Sequence, residues 1–368
     1  MALSSDPASR AGAVLEIDLG AVVGNWRLLA GKAAPAQCAA VVKADGYGLG
    51  AAPVGTVLHK AGCRLFFVAS LDEGITLRTT LGAGPEIAIL NGPLPDTAAE
   101  FGGHDLIPVL NDPGQIEEWT KASPKGATAI LHIDTGMSRL GLSGREFEAL
   151  MAEPPAIAWR AVMSHLACAD EAYHALNETQ RSRFAEVRSR LPEVPASLVA
   201  SSGVFLGSEY HFDLVRPGAA LYGVNPQPGT PNPMRPVVRL TAKILQIREI
   251  DGGESVGYGA VHVMVGPGRL ATVAVGYADG WLRSFSHRGC GRIAGQRVPL
   301  VGRVSMDLAS FDVTAVDPAL LRPGATIELL GDDYGVDEAA ADAGTIGYEI
   351  LTGLGHRYHR VYRAPPAE

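Results

Sequence analysis

Eight short apolar runs separated by helix-like segments most constrain the fold of this 368-residue chain. Alternation of strand and helix indicates βα units with parallel strands, and eight such units predict a closed (β/α)8 TIM-type barrel. An open doubly wound sheet is the alternative. The candidate strands are CAAVVKA (38–44), RLFFVAS (64–70), EIAIL (86–90), DLIPVL (105–110), TAILHID (128–134), AWRAVMSHL (158–166), ASLVASS (196–202) and FDLVRPG (212–218).

The pattern of apolar and polar residues changes after the Pro-rich stretch NPQPGTPNPMRP (225–236). Short alternating runs such as VVRLTAKILQI and RVPLVGRVSM follow, separated by Gly and Asp turns, and they predict an antiparallel β domain. We therefore expect a flexible tail over residues 1–13, a barrel over 14–232 and a C-terminal β domain over 233–368. Within the barrel, Ala172, Leu176, Phe184 and Val187 share one face of a predicted helix.

Composition narrows the class of partner. The formal net charge of −8 argues against a nucleic-acid partner, which needs a basic surface, and favours a protein that handles small molecules. The four cysteines form no CxxC pair or Cys/His cluster, so we expect reduced thiols and no metal site. No run is long enough to span a bilayer and the N-terminus lacks a signal core, which predicts a cytoplasmic protein without membrane contact.

Polar residues recur where the candidate strands end. In a barrel the carboxyl ends of all strands meet at one mouth, so these side chains are expected to converge there. A lysine held in such a partly apolar site has a lowered pKa and becomes a usable nucleophile or base. The residues concerned are Lys43, Asp134, Arg139, His165, Ser201, Ser202 and Arg216.

Motifs in a fixed order along residues 14–363 resemble those of alanine racemases. AVVKADGYGLG (40–50) is similar to the pyridoxal-phosphate lysine motif of that family, and ESVGYGA (254–260) is similar to a signature of its C-terminal domain. The other segments that carry the resemblance are LHIDTGMSRLG (131–141), MSHLACADE (163–171), ASSG (200–203), LVRPGAALYG (214–223), VAVGYADGW (273–281) and VPLVGRVSMDL (298–308).

The resemblance implies a pyridoxal-phosphate enzyme that interconverts L- and D-alanine. Racemisation requires the α-proton to be removed from one face and returned on the other, and two bases serve two faces most simply. By resemblance Lys43 is the Schiff-base lysine and one base, and Tyr258 is the other. A phenol has a reference pKa of about 10, so Tyr258 needs nearby positive charge, which His165 and Arg216 are implied to supply. Arg216 is also implied to lie beside the pyridine nitrogen.

The remaining site residues are implied in the same way. Arg139 and the backbone of Met306 are expected to bind the substrate carboxylate, and Tyr258 and Met306 to enter the active site of the other subunit of a homodimer. Asp170, Arg283, Arg303 and Tyr348 are expected to line the entrance. The cofactor is expected to be bound by Lys43, Tyr47, Ser202, Arg216, Gly218, Ala219 and Tyr348.

Three motifs depart from the family pattern. His132 stands where many members have a lysine, which some carry in carbamylated form to orient the arginine, so another group must orient Arg139 here. Gly46 and Leu49 replace the Ala and His of the lysine motif, which is expected to alter local packing more than chemistry. Ser201-Ser202-Gly203 replaces Asn-Ser-Ala, and the phosphate contact is expected to survive through Ser202.

The leading interpretation is an alanine racemase that supplies D-alanine for peptidoglycan. A racemase of serine or a larger amino acid would use the same machinery. A decarboxylase of the same broad fold is disfavoured by the VGYGA and VGRVSMD signatures. A non-catalytic pyridoxal-phosphate-binding protein would resemble the barrel alone, and the β domain that carries Tyr258 argues against it.

Overall fold

The computed structural model describes residues 7–124 and 126–365. Ala21–Arg235 forms one compact unit, which we call the barrel unit. The described residues up to Gly20 and those from Pro236 onwards form the other, which we call the β unit. The β unit therefore includes the first elements of the chain, helical turn α1 (Pro7–Arg10) and strand β1 (Ala13–Asp18).

This division corrects the predicted N-terminal boundary. Residues 14–20, which we expected in the barrel, belong to the β unit because β1 pairs with two strands of the C-terminal segment. Residues 1–6 of the predicted tail lie outside the described residues. The described part of that tail is ordered, since Lys243 Nζ donates to the carbonyls of Ala8 and Ser9 at 2.8 and 2.7 Å.

The barrel unit is built on parallel strands in the predicted places. A seven-stranded sheet runs in chain order from β3 to β9, and β10 pairs with β2. The strands are β2 (Gln37–Cys38), β3 (Ala40–Val41), β4 (Leu65–Val68), β5 (Glu86–Ile89), β6 (Ile107–Leu110), β7 (Thr128–His132), β8 (Ala158–Met163), β9 (Ala196–Ser197) and β10 (Leu214–Val215).

Backbone hydrogen bonds on both sides of β10 close the barrel. Arg216 N donates to Val199 O at 3.0 Å on one side, and Ala39 N donates to Val215 O at 2.9 Å on the other. Because β2 and β3 occupy one position of the barrel, eight positions complete the circle. The predicted (β/α)8 barrel is confirmed, and the open doubly wound sheet is wrong.

Helices follow the strands and several begin with side-chain caps. Ser70 with Glu73 and Ser143 with Glu146 form two capping boxes, in which each Ser–Glu pair satisfies two backbone amides of a helix start. The helices are α2 (Leu19–Ala33), α3 (Ala51–Lys60), α4 (Leu71–Leu81), α5 (Ala98–Gly103), α6 (Pro113–Ala122), α7 (Gly144–Ala152) and α8 (Ala175–Arg190).

Helix α8 differs from its prediction in the face that it buries. It begins only at Ala175, so Ala172 lies outside it and is exposed. The buried face contains Phe184 and Val187 as expected, but its first turns bury the polar Asn177 and Gln180. Their amides bond to the loop that precedes the helix, a partner that apolar periodicity does not reveal.

The β unit is a closed antiparallel barrel with one parallel addition. Six strands pair in the circle β11-β14-β17-β16-β15-β18, and β1 joins β11 to β19, which it pairs with in parallel. The mostly antiparallel β domain is thus confirmed. Its strands are β11 (Val238–Ile250), β12 (Ser255–Val256), β13 (His262–Val263), β14 (Gly268–Val273), β15 (Cys290–Ile293), β16 (Gln296–Val301), β17 (Ala309–Asp312), β18 (Thr326–Leu330) and β19 (His359–Arg363); its other helices are α9 (Val336–Ala343) and α10 (Gly347–Gly353).

Two further expectations concern the described residues as a whole. Their helices are all too short or too polar to cross a membrane. Cys38, Cys63, Cys168 and Cys290 are free, as expected for thiols that form no disulfide.

Candidate active site

Lys43 opens a left-handed turn directly after β3. The φ angles of Ala44, Asp45 and Gly46 are 52°, 51° and 63°, and that of Tyr47 is 55°. A left-handed conformation costs an ordinary L-residue about 1–2 kcal/mol, and only Gly46 is free of that cost. Such a strained segment persists only where its surroundings determine it, and such segments cluster at functional sites.

Several contacts hold this turn in place. Asp45 Oδ1 accepts a hydrogen bond from the amide of Ala51 at 2.8 Å, and Gly50 N donates back to Asp45 O at 2.7 Å. The ring of Tyr47 stacks on that of Tyr222 with centroids 4.7 Å apart, and Tyr222 Oη donates to the carbonyl of Val41. The turn is thereby anchored to the barrel strand that precedes it.

The Lys43 amine lies in an electropositive, partly desolvated position. Burial lowers its pKa below the ordinary lysine value, and the charge of Arg139 lowers the pKa further. The carboxylate of Glu73 acts in the opposite direction. A larger share of the amine is therefore neutral and nucleophilic at physiological pH than for an exposed lysine.

His165 is also affected by the positive charge of Arg139. Burial lowers the pKa of its imidazole to about 3, and the charges of Arg216 and Arg139 lower it further. The ring is therefore neutral in this chain at physiological pH. Arg216 therefore carries a positive charge in the described structure, whereas His165 does not. Their implied effect on Tyr258 stays a prediction.

His132 is the buried last residue of β7 and has a defined tautomer. Its Nδ1 lies 2.7 Å from Asn111 Oδ1. The Asn111 side-chain amide donates to two carbonyls and to Gln115 Oε1, so its oxygen is the acceptor and His132 Nδ1 carries the proton. Burial, with the charges of Arg216 and Arg139, lowers the pKa of His132 to about 4, which leaves Nε2 as a neutral acceptor.

The segment that carries Arg139 is held by Asp134. Its carboxylate accepts hydrogen bonds from the amides of Gly136, Met137 and Ser138 at 2.8–2.9 Å. Arg139 itself is exposed and donates to no group in the described part of the chain. Its guanidinium is thus available for a carboxylate, as the sequence predicts.

Arg216 is a buried guanidinium with uncharged partners. It donates to the carbonyl of Ser164 at 2.6 Å and to the hydroxyl of Ser197, and it lies over the ring of Phe67. Burial lowers its pKa to about 10, so the group stays protonated at neutral pH. Within the described residues no carboxylate pairs with it, which leaves a fixed positive charge inside the barrel mouth.

Two short turns after the seventh and eighth barrel strands present unused backbone amides. They are the 3₁₀ turns Ser202–Phe205 and Ala219–Tyr222. The amides of Ser202, Gly203 and Ala219 reach no acceptor among residues 7–124 and 126–365. Phosphate groups commonly bind at this place in TIM barrels, where such amides point at the ligand.

Ser201 connects these two turns, a role that we did not predict. Its buried hydroxyl oxygen accepts the amides of Gly218 at 3.0 Å and Ala220 at 3.1 Å. Gly218 is needed for a close approach rather than for its turn, because a Cβ there would lie 2.2 Å from Tyr47 Oη. Tyr47, Gly218 and the free amides are therefore brought together, as expected for a phosphate site.

Tyr258, Met306 and Tyr348 belong to the β unit. Tyr258 is 70% exposed on a 3₁₀ turn, Met306 is 55% exposed, and Tyr348 lies in the first turn of α10. The Met306 carbonyl accepts from Ala278 at 2.9 Å, whereas its amide has no acceptor in the described parts of the chain. That amide is free for the carboxylate contact that the resemblance implies.

Two positioning residues escaped the sequence analysis. Gln180 is fully buried, donates to the carbonyl of His165 at 2.8 Å and accepts the amide of Ala167 at 2.8 Å. Glu73 contacts the amide of Ala44, next to Lys43. The sequence signal for Glu73 is the Ser-x-x-Glu spacing that starts at Ser70, whereas Gln180 has none.

Acid is expected to destabilise the barrel unit through His132 and His165. Unfolded imidazoles bind a proton below about pH 6.5, whereas burial lowers the pKa values in the folded chain to about 4 and about 3. The unfolded state therefore binds more protons, so the free energy of unfolding decreases as the pH is lowered, by up to about 2.7 kcal/mol per pH unit for the pair.

Urea unfolding between about pH 7 and 4.5 measures this effect. The double variant His132→Asn, His165→Gln should lose the part of the slope that corresponds to two protons. An identical slope in the variant and the parent would contradict the lowered pKa values.

The chain matches known proteins over nearly its whole length. The family description "Alanine racemase, N-terminal domain" matches residues 17–226, and "Alanine racemase, C-terminal domain" matches residues 237–362. The alanine racemase of Rhodospirillum rubrum is 53% identical over 360 residues, which cover 96% of both chains. A catabolic alanine racemase of Mesorhizobium japonicum is 51% identical over 96% of this chain and 93% of its own.

Solved structures agree with these matches. The alanine racemase of Bartonella henselae, whose crystal structure contains covalently bound pyridoxal phosphate, is 41% identical with a TM-score of 0.92, covering 96% of this chain and all of its own. The biosynthetic alanine racemase of Pseudomonas aeruginosa has a TM-score of 0.89 at 34% identity, with the same coverage. These matches confirm the family and the enzyme class expected from the sequence. By its sequence, its fold and the residues at its barrel mouth, this chain belongs to the alanine racemase family.

Proposed function

We propose that this chain interconverts L- and D-alanine with pyridoxal phosphate, using Lys43 and Tyr258 as the two bases. The observation that carries the proposal is the convergence at one barrel mouth. Three kinds of group lie on neighbouring strand ends: a lysine of lowered pKa, a buried guanidinium that no carboxylate pairs with in the described chain, and amides that reach no acceptor there. Each of these groups suits a different part of one anionic, ring-containing cofactor.

The residues present fit pyridoxal phosphate, and the bound cofactor of the Bartonella relative confirms the one expected from the sequence. Lys43 would bond its aldehyde, and Arg216 would donate to its ring nitrogen. The amides of Ser202, Gly203 and Ala219, with Tyr47, would bind its phosphate, and Tyr348 is implied for the same group. When bound, the cofactor makes the α-proton of an amino acid acidic by delocalising the charge left behind.

The two bases then handle the proton. Burial and the charge of Arg139 lower the pKa of Lys43 Nζ, so its neutral form, which accepts a proton, is more populated than that of an ordinary lysine. Tyr258 Oη serves the opposite face, as a deprotonated phenol removing a proton or as a phenol returning one. The fixed charge of Arg216 favours the deprotonated phenol wherever the two approach each other.

Substrate orientation is assigned to Arg139 and Met306. The exposed guanidinium of Arg139 offers a bidentate contact to the substrate carboxylate, and the free amide of Met306 offers a second donor. The buried Arg216 donates hydrogen bonds but does not protonate the ring nitrogen, because it keeps its own proton up to a pKa of about 10. A ring whose nitrogen stays unprotonated would withdraw electrons less strongly, which would favour racemisation over transamination.

We also propose that the active protein is a homodimer in which each site uses both chains. The β unit exposes several large apolar side chains, and they lie close in sequence to the residues implied to enter the partner's site. A second copy of this chain would cover these side chains. It would also bring its own Tyr258 and Met306 to the Lys43 of its partner. The exposed side chains are Tyr258, Val261, Val263, Tyr277, Met306, Leu308, Ile346 and Tyr348.

The supply of D-alanine for peptidoglycan stays a prediction, as does the cytoplasmic location. Relatives are named both as catabolic and as biosynthetic enzymes, so their names favour neither direction. A deletion strain that requires D-alanine for growth would support the biosynthetic role, and one that grows without it but cannot use D-alanine would support the catabolic role.

Chiral chromatography of L-alanine incubated with the purified protein tests the proposed reaction. D-alanine should form, and more of it when pyridoxal phosphate is added to cofactor-depleted protein. L-serine and L-lysine incubated in parallel report the substrate range, and a preference for either would keep the mechanism but change the substrate. Bound cofactor without conversion of any amino acid would overturn the proposal in favour of a non-catalytic binding protein.

A further inference from the structure

The side chain of Glu73 joins two neighbouring barrel loops. Its Oε2 accepts the amides of Ala69 at 2.7 Å and of the N-cap residue Ser70 at 3.4 Å, which caps the start of α4 after strand β4. Its Oε1 leaves that helix and accepts the amide of Ala44 at 2.7 Å. One carboxylate therefore connects the beginning of α4 to the residue that follows Lys43.

The contact with Ala44 is not needed to cap a helix. Glu146 forms the same capping box at the start of α7, where its Oε2 accepts the amide and hydroxyl of Ser143 at 2.8 and 2.7 Å. No hydrogen bond joins Glu146 to another loop within the described residues. The second oxygen of Glu73 thus makes a hydrogen bond to a neighbouring loop, and Glu146 makes no such bond within the described residues.

The position of this second contact is informative. Ala44 is the first left-handed residue of the strained turn, and its amide belongs to the same peptide plane as the Lys43 carbonyl. A charge-assisted hydrogen bond to that amide fixes the plane and so fixes the direction in which the Lys43 side chain leaves the backbone. The other anchors of the turn, Asp45 and Tyr47, lie further along the chain.

We propose that Glu73 is a positioning residue that holds the Lys43–Ala44 peptide plane, and with it the Lys43 amine, in the orientation needed to bond the cofactor. The inference rests on the proposed function for the role of Lys43, but not for the contact itself. Glu73 also opposes the lowering of the Lys43 pKa caused by burial and by Arg139. Its removal should therefore lower that pKa as well as loosen the turn.

The variants Glu73→Gln and Glu146→Gln test this proposal as a matched pair. Each removes a capping-box carboxylate, and only the first touches the Lys43 turn. For each protein we would measure hydrogen exchange over residues 40–50, the rate at which the cofactor-free dimer captures pyridoxal phosphate followed by borohydride trapping, and the pH midpoint of that rate.

In Glu73→Gln we expect exchange at Ala44 to become about tenfold faster, the capture rate on the plateau above the pH midpoint to slow by about tenfold, and the midpoint itself to fall. Glu146→Gln should match the parent in all three measurements. Glu73→Asp keeps the charge, but its side chain is too short to bond the start of α4 and the Ala44 amide together. It should therefore show the faster exchange at Ala44 and the slower capture, with a smaller shift of the pH midpoint. It also serves if Glu73→Gln does not fold.

Equal behaviour of Glu73→Gln and Glu146→Gln in exchange and capture would overturn the proposal and leave Glu73 as a helix cap only. Failure of the proposed function gives a different result, because a parent protein that traps no cofactor at Lys43 would still show whether Glu73 protects the Ala44 amide.

Discussion

Replacing Lys43 with Ala is expected to reduce D-alanine formation from L-alanine by about 10³-fold or more. In the proposed mechanism the variant loses both the amine that bonds the cofactor and one of the two bases. Chiral chromatography measures the lost activity, and borohydride treatment followed by peptide mass analysis measures the lost covalent bond. The barrel should remain folded, because Lys43 is only partly buried and the turn is anchored by its neighbours.

Lys60→Ala provides the control for this experiment. Lys60 is an exposed lysine at the end of α3, in the same barrel unit. Its replacement should leave both activity and cofactor attachment unchanged. Cofactor trapped by borohydride in Lys43→Ala at the parent level would refute the assignment of Lys43, and loss of activity in Lys60→Ala would show that the assay reports general damage.

Mixing two inactive variants is expected to restore activity if the sites are shared between subunits. Lys43→Ala and Tyr258→Phe should each lose nearly all racemisation alone, since each dimer then lacks one base in both sites. Co-expression of the two chains in equal amounts should recover about a quarter of the parent activity, because half of the dimers are hybrids with one intact site of two.

The control for this mixture is the double variant Lys43→Ala, Tyr258→Phe co-expressed with each single variant. Every site of those dimers lacks at least one base, so no activity should return. A mixture of the two single variants that stays as inactive as its parents would show that both bases of a site come from one chain, and the shared-site dimer would be abandoned.

Elements stabilised by interactions between residues close in the chain were predictable, and those stabilised by distant partners were not. Strand positions such as 64–70 and 128–134 were predictable because a buried strand shows its apolar character within a few residues. The N-terminal strand Ala13–Asp18 was misassigned because its partners, Val238–Ile250 and His359–Arg363, are far away in the chain. No local pattern records such a pairing.

The same distinction applies to the candidate site. The types of its residues could be read from the motifs around Lys43, His165 and Arg216, but not their charge states. His165 is neutral because it is buried and lies near the positive charges of residues distant in sequence. The sequence motifs show neither its burial nor the lowering of its pKa. Gln180 was not predicted because its role depends on hydrogen bonds to His165 and Ala167, and no local sequence pattern indicates these partners.

The sequence by itself determined the βα alternation, the second β domain, the family and the residue types proposed to bond the cofactor and bind the substrate. These depend on local apolar patterns and on motifs of a few residues. The tertiary structure decided which unit contains β1, which side chains hold the left-handed turn of Lys43, and that Arg216 is a buried cation without an anionic partner among the described residues. Burial, charge and hydrogen bonding at the site arise between strands brought together only by closure of the barrel.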